Sequence, residues 1–361
     1  CNIIQLLVNM GNILITGGAG YIGSHISEQL IKNKETIIIL DNLVTGYKKL
    51  INKNGKFIKA DIKNKSQIIK IIKDNNITSI IHLAAYLNVS EAEKNKKKYY
   101  QNNVIGTKNL LEACKNSNVK NIIFSSSCSI YGNVKGSVSE NKKPNPQGYY
   151  GYTKFKGEEL IKKLSLKYNF KYGILRYFNV AGASVSNKIG EIESSHGHLF
   201  KNLAIEAQKK IPVVSIYGSD YKTKDGTCIR DYIHVNDLVH AHFLAYNKIT
   251  SSKGCFDFNL GNGNGFSVLE IINACETVTK KKVNYEFVPK REGEPEYLVA
   301  DSSKAISELK WKIDHKDINE IIKSAWRWHL RLYSEIIWIH DINDNINSTI
   351  AGMGYVGTSI A

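Results

Sequence analysis

Tyr150 and Lys154 stand four residues apart in Tyr150-Gly151-Tyr152-Thr153-Lys154, after a loop marked by Pro144 and Pro146. On a helix that spacing places a phenol and an ammonium on one face. A neighbouring cation favours phenolate and brings a group with a pKa of about 10 toward the range of a general base. Tyr152 with Lys156 has the same spacing and competes as the register, whereas Tyr149 would face Thr153 and is excluded. Upstream, Phe124-Ser125-Ser126-Ser127 closes an apolar run with three hydroxyls.

A second cluster, Gly17-Gly18-Ala19-Gly20-Tyr21-Ile22-Gly23, has glycines at 17, 20 and 23. It lies between the strand-like run 12–16 and a helical pattern of Ile22, Ile26, Leu30 and Ile31, so backbone amides and a helix N-terminus can face a pyrophosphate. Asp41 ends the next apolar run, where a carboxylate accepts ribose hydroxyls and repels a 2′-phosphate. Capping of the following turn is the plain structural alternative for Asp41. The expected cofactor is NAD, whose positive nicotinamide ring would add to the pull of Lys154 on the Tyr150 phenol.

The elements that must position these residues alternate. Strand-like runs at 12–16, 36–40, 56–60, 79–83 and 121–125 are separated by helical stretches around 22–31, 68–72 and 104–114. That order predicts an α/β fold, a Rossmann-type doubly wound parallel sheet. From about residue 176 the alternation loosens into a polar segment (184–198), a turn-rich segment (218–227) and a helical end (317–332). The expected division is a nucleotide-binding domain over 11–175, to which some later segments return, and a smaller mixed α/β substrate region over 176–340. Residues 1–9, before Met10, and 348–361, which carry a second Gly352, Gly354, Gly357 pattern resembling the opening of UDP-sugar 6-dehydrogenases, are expected to be non-native or truncated extensions.

Length and composition narrow the function. With 361 residues, 42% of them hydrophobic, the chain has ample core for one large or two closely packed domains. The net charge of +16 rests on lysines; the arginines are Arg176, Arg230, Arg291, Arg327 and Arg331. Nucleic-acid readout favours clustered arginine forks, so the lysine runs are expected to be solvated faces and no specific nucleic-acid partner is expected. Cys1, Cys114, Cys128, Cys228, Cys255 and Cys275 form no C-x-x-C pair, which points to reduced thiols and no metal site. No run reaches about 18 apolar residues. The expectation is a cytoplasmic protein off the membrane.

Glycine turn, serine, tyrosine and lysine in this order resemble the extended short-chain dehydrogenase/reductases, and among them the UDP-glucose 4-epimerase branch, over 11–333. The matching stretches are 15–25, 99–107, 124–132, 150–154, 176–182, 216–242 and 291–304, with 225–235 (Asp-Gly-Thr-Cys-Ile-Arg-Asp-Tyr-Ile-His-Val) the most specific. The resemblance implies a Rossmann domain plus a C-terminal substrate domain, as a homodimer. It implies Tyr150 as base, Lys154 on the nicotinamide ribose, and Ser127 sharing the sugar O4 proton. Gly17, Gly20, Tyr21, Ile22, Gly23, Asp41, Asn42, Asp61, Ile62, Asn102, Lys154 and Tyr177 would hold NAD. Asn179, His198, Leu199, Arg230 and Arg291 would hold the UDP portion of a UDP-hexose, a role that suits guanidinium groups.

The reaction implied is reversible C4 epimerisation of UDP-glucose and UDP-galactose through a 4-keto intermediate, with no net redox change. Three positions depart from the pattern. Leu87 stands where many members carry a lysine near the NAD pyrophosphate, Lys201 replaces a proline, and Leu298 occupies the position that gates 2-acetamido sugars, leaving UDP-N-acetylglucosamine open as a substrate. A 4,6-dehydratase would carry an Asp-Glu pair after the active-site hydroxyl, where this chain has Cys128-Ser129. A non-catalytic redox-sensing scaffold would typically lack the tyrosine or the lysine.

Overall fold

The computed structural model describes residues 11–192, 199, 202–203, 213–251, 254–291 and 294–334. The segments expected to be extensions, 1–9 and 348–361, lie outside them, as do His198 and Lys201.

Seven parallel strands form the main sheet: β1 (Asn12–Thr16), β2 (Ile37–Asp41), β3 (Lys56–Lys59), β4 (Ile77–His82), β5 (Asn121–Ser127), β7 (Lys171–Tyr177) and β11 (Phe256–Leu260). Their order is β11-β7-β5-β4-β1-β2-β3. The chain winds outward through β1, β2 and β3, then crosses to the far side of β1 for β4. The crevice beyond the C-terminal ends of β1 and β4 is therefore the switch point at which such sheets bind ligands. Strands buried on both faces explain the near-continuous apolar runs: all five residues of β2 are buried.

Helices α1 (Tyr21–Lys32), α2 (Lys65–Asp74), α3 (Thr107–Ala113), α4 (Tyr149–Tyr168) and α5 (Val235–Ser251) belong to the same body. Ile26 and Leu30 of α1 pack with Ile13, Ile15 and Ile39 of the sheet and with Leu238 of α5 on one face. Ile68 and Ile72 of α2 and Leu110 and Leu111 of α3 cover the other face, with Leu14 and Ile80. Asn64 caps α2 by accepting from the Gln67 amide at 3.1 Å.

Two boundaries differ from the sequence reading. β7 runs across the division expected at residue 175; the later segments that return to the first body are β11, which joins its sheet, and α5, which packs on it. The helix expected over 104–114 begins earlier, as a π-helical turn over Tyr100–Gly106 that leads into α3. That turn buries two consecutive asparagines, Asn102 and Asn103.

The remaining strands build the smaller region. β10 (Ile229–His234) pairs in parallel with β8 (Asn179–Ala181) and with β14 (Tyr297–Ala300), and antiparallel with β12 (Gly265–Ser267). β14 also pairs with β6 (Ser137–Val138), and β9 (Val213–Tyr217) forms a separate parallel pair with β13 (Asn284–Val288). Helix α6 (Val268–Thr279) opens on a capping box of Ser267 and Glu270, and residues 318–334 are helical. No described helix is long and apolar enough to cross a membrane.

Candidate active site

A cavity of about 660 Å³ runs from the glycine turn after β1 to the arginines of β10 and of the loop after β13. At its first end the turn is shaped by absent side chains. Gly17 has φ +72°, and a Cβ there would lie 2.8 Å from the Ala84 amide nitrogen. A Cβ on Gly23 would lie 2.3 Å from the Gly17 carbonyl oxygen. Gly20, Tyr21, Ile22 and Gly23 line the cavity, and α1 starts with no side-chain cap and no acidic residue in its first turn. An uncapped helix N-terminus under a glycine cradle fits an anionic pyrophosphate.

Asp41 ends β2 at the same rim. Its carboxylate accepts from Ala19 N at 3.1 Å and from Leu43 N at 2.8 Å, so it caps the turn and faces the cavity at once. Burial pushes its pKa up, against the pull of these two amides. Asn42 lines the cavity and donates to Asp61 at 3.1 Å; Asp61 stands behind it, while Ile62 forms wall. Asn102 lines the cavity and donates to Asn103 at 3.0 Å.

Asn103 also fixes the neighbouring loop, accepting from Tyr86 N at 2.9 Å and donating to Tyr86 O at 3.1 Å and Thr153 Oγ1 at 3.2 Å. Its carbonyl accepts from Thr107 Oγ1 at 2.7 Å. The Thr107 hydroxyl must then accept from His82 Nε2 at 2.9 Å, leaving His82 Nδ1 to accept from Thr16 at 2.7 Å. His82 is thus neutral, and burial lowers its pKa to about 3.

Tyr150 and Ser127 both line the cavity. Ser127, the last residue of β5, accepts from Ser129 N at 3.2 Å and donates to Ser129 Oγ at 3.1 Å. Burial drives the Tyr150 phenol above its ordinary pKa, and its hydrogen bond with Ser127 pulls it back. Lys154, one turn along α4, is buried; its ammonium donates to Ser125 O at 2.7 Å, and burial lowers its pKa to about 7. Lys156 instead lies on the outer face, paired with Glu159 at 2.8 Å. Tyr150 and Lys154 are thus buried together, whereas Lys156 is not.

Tyr177 lines the cavity with its ring, but its hydroxyl is bonded to His242 behind the wall. Asn179, Leu199, Arg230 and Arg291 line the second end. Arg230 donates to Pro295 O at 2.6 Å and pairs with Glu294 at 3.2 Å. Arg291 stacks on Tyr217 with its guanidinium carbon 3.7 Å from the ring centre, and its Nε is buried without a partner. Leu298 is buried against the cavity, beside Arg230 in the β10–β14 register, and Leu87 lies on the wall. Sequence reasoning missed Glu294 and Tyr217. The alternation of Val214 and Ile216 as buried residues of β9 was the available signal that Tyr217 belongs to the other face.

Comparison with known proteins agrees with this geometry. A family model described as "NAD dependent epimerase/dehydratase family" matches residues 13–261. The chain is 41% identical over 318 residues to the UDP-glucose 4-epimerase of Lactobacillus helveticus, covering 88% of this chain and 96% of that one. Among solved structures it is similar to UDP-glucose 4-epimerase from Bifidobacterium longum in complex with NAD+ and UDP, with TM-score 0.84, 33% identity, and 89% and 98% of the two chains covered. The UDP-Glc/GlcNAc 4-epimerase from Campylobacter jejuni gives TM-score 0.76 at 39% identity, covering 89% and 99%.

Proposed function

The chain belongs to the NAD dependent epimerase/dehydratase family, and from that premise we propose that it interconverts UDP-glucose and UDP-galactose at C4. One observation carries the assignment: Tyr150 and Ser127 line the same cavity as the glycine cradle and the two arginines Arg230 and Arg291. NAD fits the cradle, because the glycines at 17 and 23 leave room only for backbone and Asp41 offers a carboxylate to ribose hydroxyls. When bound there, NAD supplies the acceptor and donor of hydride for C4.

Tyr150 takes the O4 proton as C4 is oxidised, and Ser127 shares that proton through its hydroxyl. Lys154 holds the nicotinamide ribose and favours the tyrosine's anionic form. Arg230 and Arg291 anchor the diphosphate, so the 4-keto sugar can turn about its pyrophosphate link without leaving. Tyr150 then returns the proton to O4 as hydride comes back to the opposite face of C4, and the sum of both halves is isomerisation. Dehydration is disfavoured, since Cys128, whose thiol burial pushes up to about 12, and Ser129 supply no acid where elimination needs one. The same reading takes the molecule as a cytoplasmic homodimer acting on UDP-hexoses, without nucleic-acid partners.

The decisive experiment incubates the purified protein with UDP-galactose, without added NAD, and detects UDP-glucose with a glucose-specific coupled reaction. Conversion is expected. No conversion, also with NAD supplied, would return the chain to another nucleotide-sugar modification.

A further inference from the structure

Behind the reacting groups lies a buried cluster that the mechanism above does not use. Glu158 sits one helical turn beyond Lys154 on α4, and its side chain is 1% exposed. Its carboxylate accepts from Arg176 Nε and Nη2, both at 2.9 Å, and from Ser126 Oγ at 2.6 Å. Arg176, on β7, also reaches Tyr131 at 2.8 Å and Asp257 of β11 at 3.0 Å, and Tyr131 donates to Asn259 at 2.7 Å. The cluster therefore ties α4 to three neighbouring strands.

Two contacts point this cluster at the chemistry. Ser126 lies between Ser125, whose carbonyl receives the Lys154 ammonium, and Ser127, which bonds Tyr150. Gripping Ser126 sets the height of both neighbours. Glu158 is also the acidic group whose field supports the Lys154 cation. Resting on the functional reading above, we propose that Glu158 is a positioning residue that acts on epimerisation through Lys154, fixing its ammonium between the Ser125 carbonyl and an anchored carboxylate one turn away.

The groups around Lys154 are Tyr150 and Glu158 on its own helix and neutral His82 on β4. Those around Glu158 are Arg176 and Tyr172 from β7, Lys162 at 4.0 Å on α4, and Asp257 by way of Arg176. Of these, Glu158 is the carboxylate one helical turn from Lys154, and its charge, though shared with Arg176, favours the Lys154 cation; Asp257 is paired with Arg176 and Lys304. Loss of the Glu158 charge should let burial lower the Lys154 pKa further.

The test is the pH profile of kcat for the holoenzyme with UDP-galactose. Glu158→Gln keeps the shape and two acceptor contacts while removing the charge. Its alkaline limb is expected to move down by about one pH unit, with kcat falling about tenfold at pH 8.5 but about threefold or less at pH 6. Ser126→Ala, which weakens the grip but keeps the charge, should lower kcat without moving the limb. An unmoved limb in Glu158→Gln overturns the proposal, because a purely structural role lowers stability and leaves the profile in place. Should that variant fail to fold, Glu158→Asp, which keeps the charge but draws it back by one methylene, should move the limb down by a smaller amount, and an unmoved limb there refutes the proposal equally. A wild-type enzyme without turnover would instead sink the functional reading itself.

Discussion

Arg230 and Glu294 form an ion pair at 3.2 Å on the cavity wall, so an incoming diphosphate competes with a carboxylate for the same guanidinium. Arg230 offers a planar fork, held in place by donation to the Ile229 carbonyl at 2.8 Å and the Pro295 carbonyl at 2.6 Å. Arg230→Ala is expected to raise KM for UDP-galactose about 10- to 100-fold with a smaller effect on kcat. Arg230→Lys should recover little of this, since an ammonium cannot bind a phosphate through two parallel donors. Initial rates across substrate concentration separate the two parameters.

Tyr150→Phe removes the proton-transfer hydroxyl and little else. We expect kcat to fall by about 10² or more while the NAD content of the purified protein is unchanged. Tyr152→Phe, on the partly exposed register that Lys156 shares, should keep kcat within about threefold. Equal losses in both would contradict the observed register.

The sheet and the glycine turn were legible because they rest on short-range patterns. Buried parallel strands demand continuous Ile and Leu runs, and Gly17 and Gly23 leave marks that no other residue can make. Asp41 could be read two ways and does both jobs. The pairing of Tyr150 with Lys154 needed the structure, since spacing alone permits two registers and only burial separates Lys154 from Lys156. Glu294 and the Glu158 cluster were invisible for a different reason. Their partners, Arg230 and Arg176, lie 64 and 18 residues away, and nothing local announces such a pair.

Leu298 presses on the cavity beside Arg230 and packs with Phe178 and Cys128. Leu298→Ala should open space for a 2-acetamido group and raise kcat/KM for UDP-N-acetylglucosamine relative to UDP-galactose by about tenfold. Competition between the two sugars in one reaction measures the ratio directly. An unchanged or lower ratio would take Leu298 out of substrate selection.

Acid should destabilise the fold below about pH 6.5, the pKa of an unfolded histidine. Burial lowers His25 and His242 to about 4 and His82 and His234 to about 3, so all four stay neutral in the fold and protonate on unfolding. Stability from these groups is complete above pH 6.5 and is lost as pH falls toward 3 to 4. Asp231, raised to about 6 by burial, works the other way over part of the range, as does His315, raised by Asp237. The expected net uptake on unfolding near pH 5 is about two to three protons. Denaturant melts between pH 5 and 7.5 give this number from their slope; zero uptake would mean the histidines are charged in the fold.

The outermost strand of the main sheet on one side, β11, arrives from residues 256–260, after β7 has waited for it across more than seventy positions. During synthesis the half of the molecule that cradles the dinucleotide therefore cannot close when the chain has emerged only as far as residue 175. One edge of β7 stays unpaired, and the Arg176 guanidinium lacks its Asp257 partner, until about half of the substrate-binding region has left the ribosome. The sheet that bears the dinucleotide cradle is thus closed by a strand drawn from the substrate-binding half, so the two halves mature as one unit rather than in series.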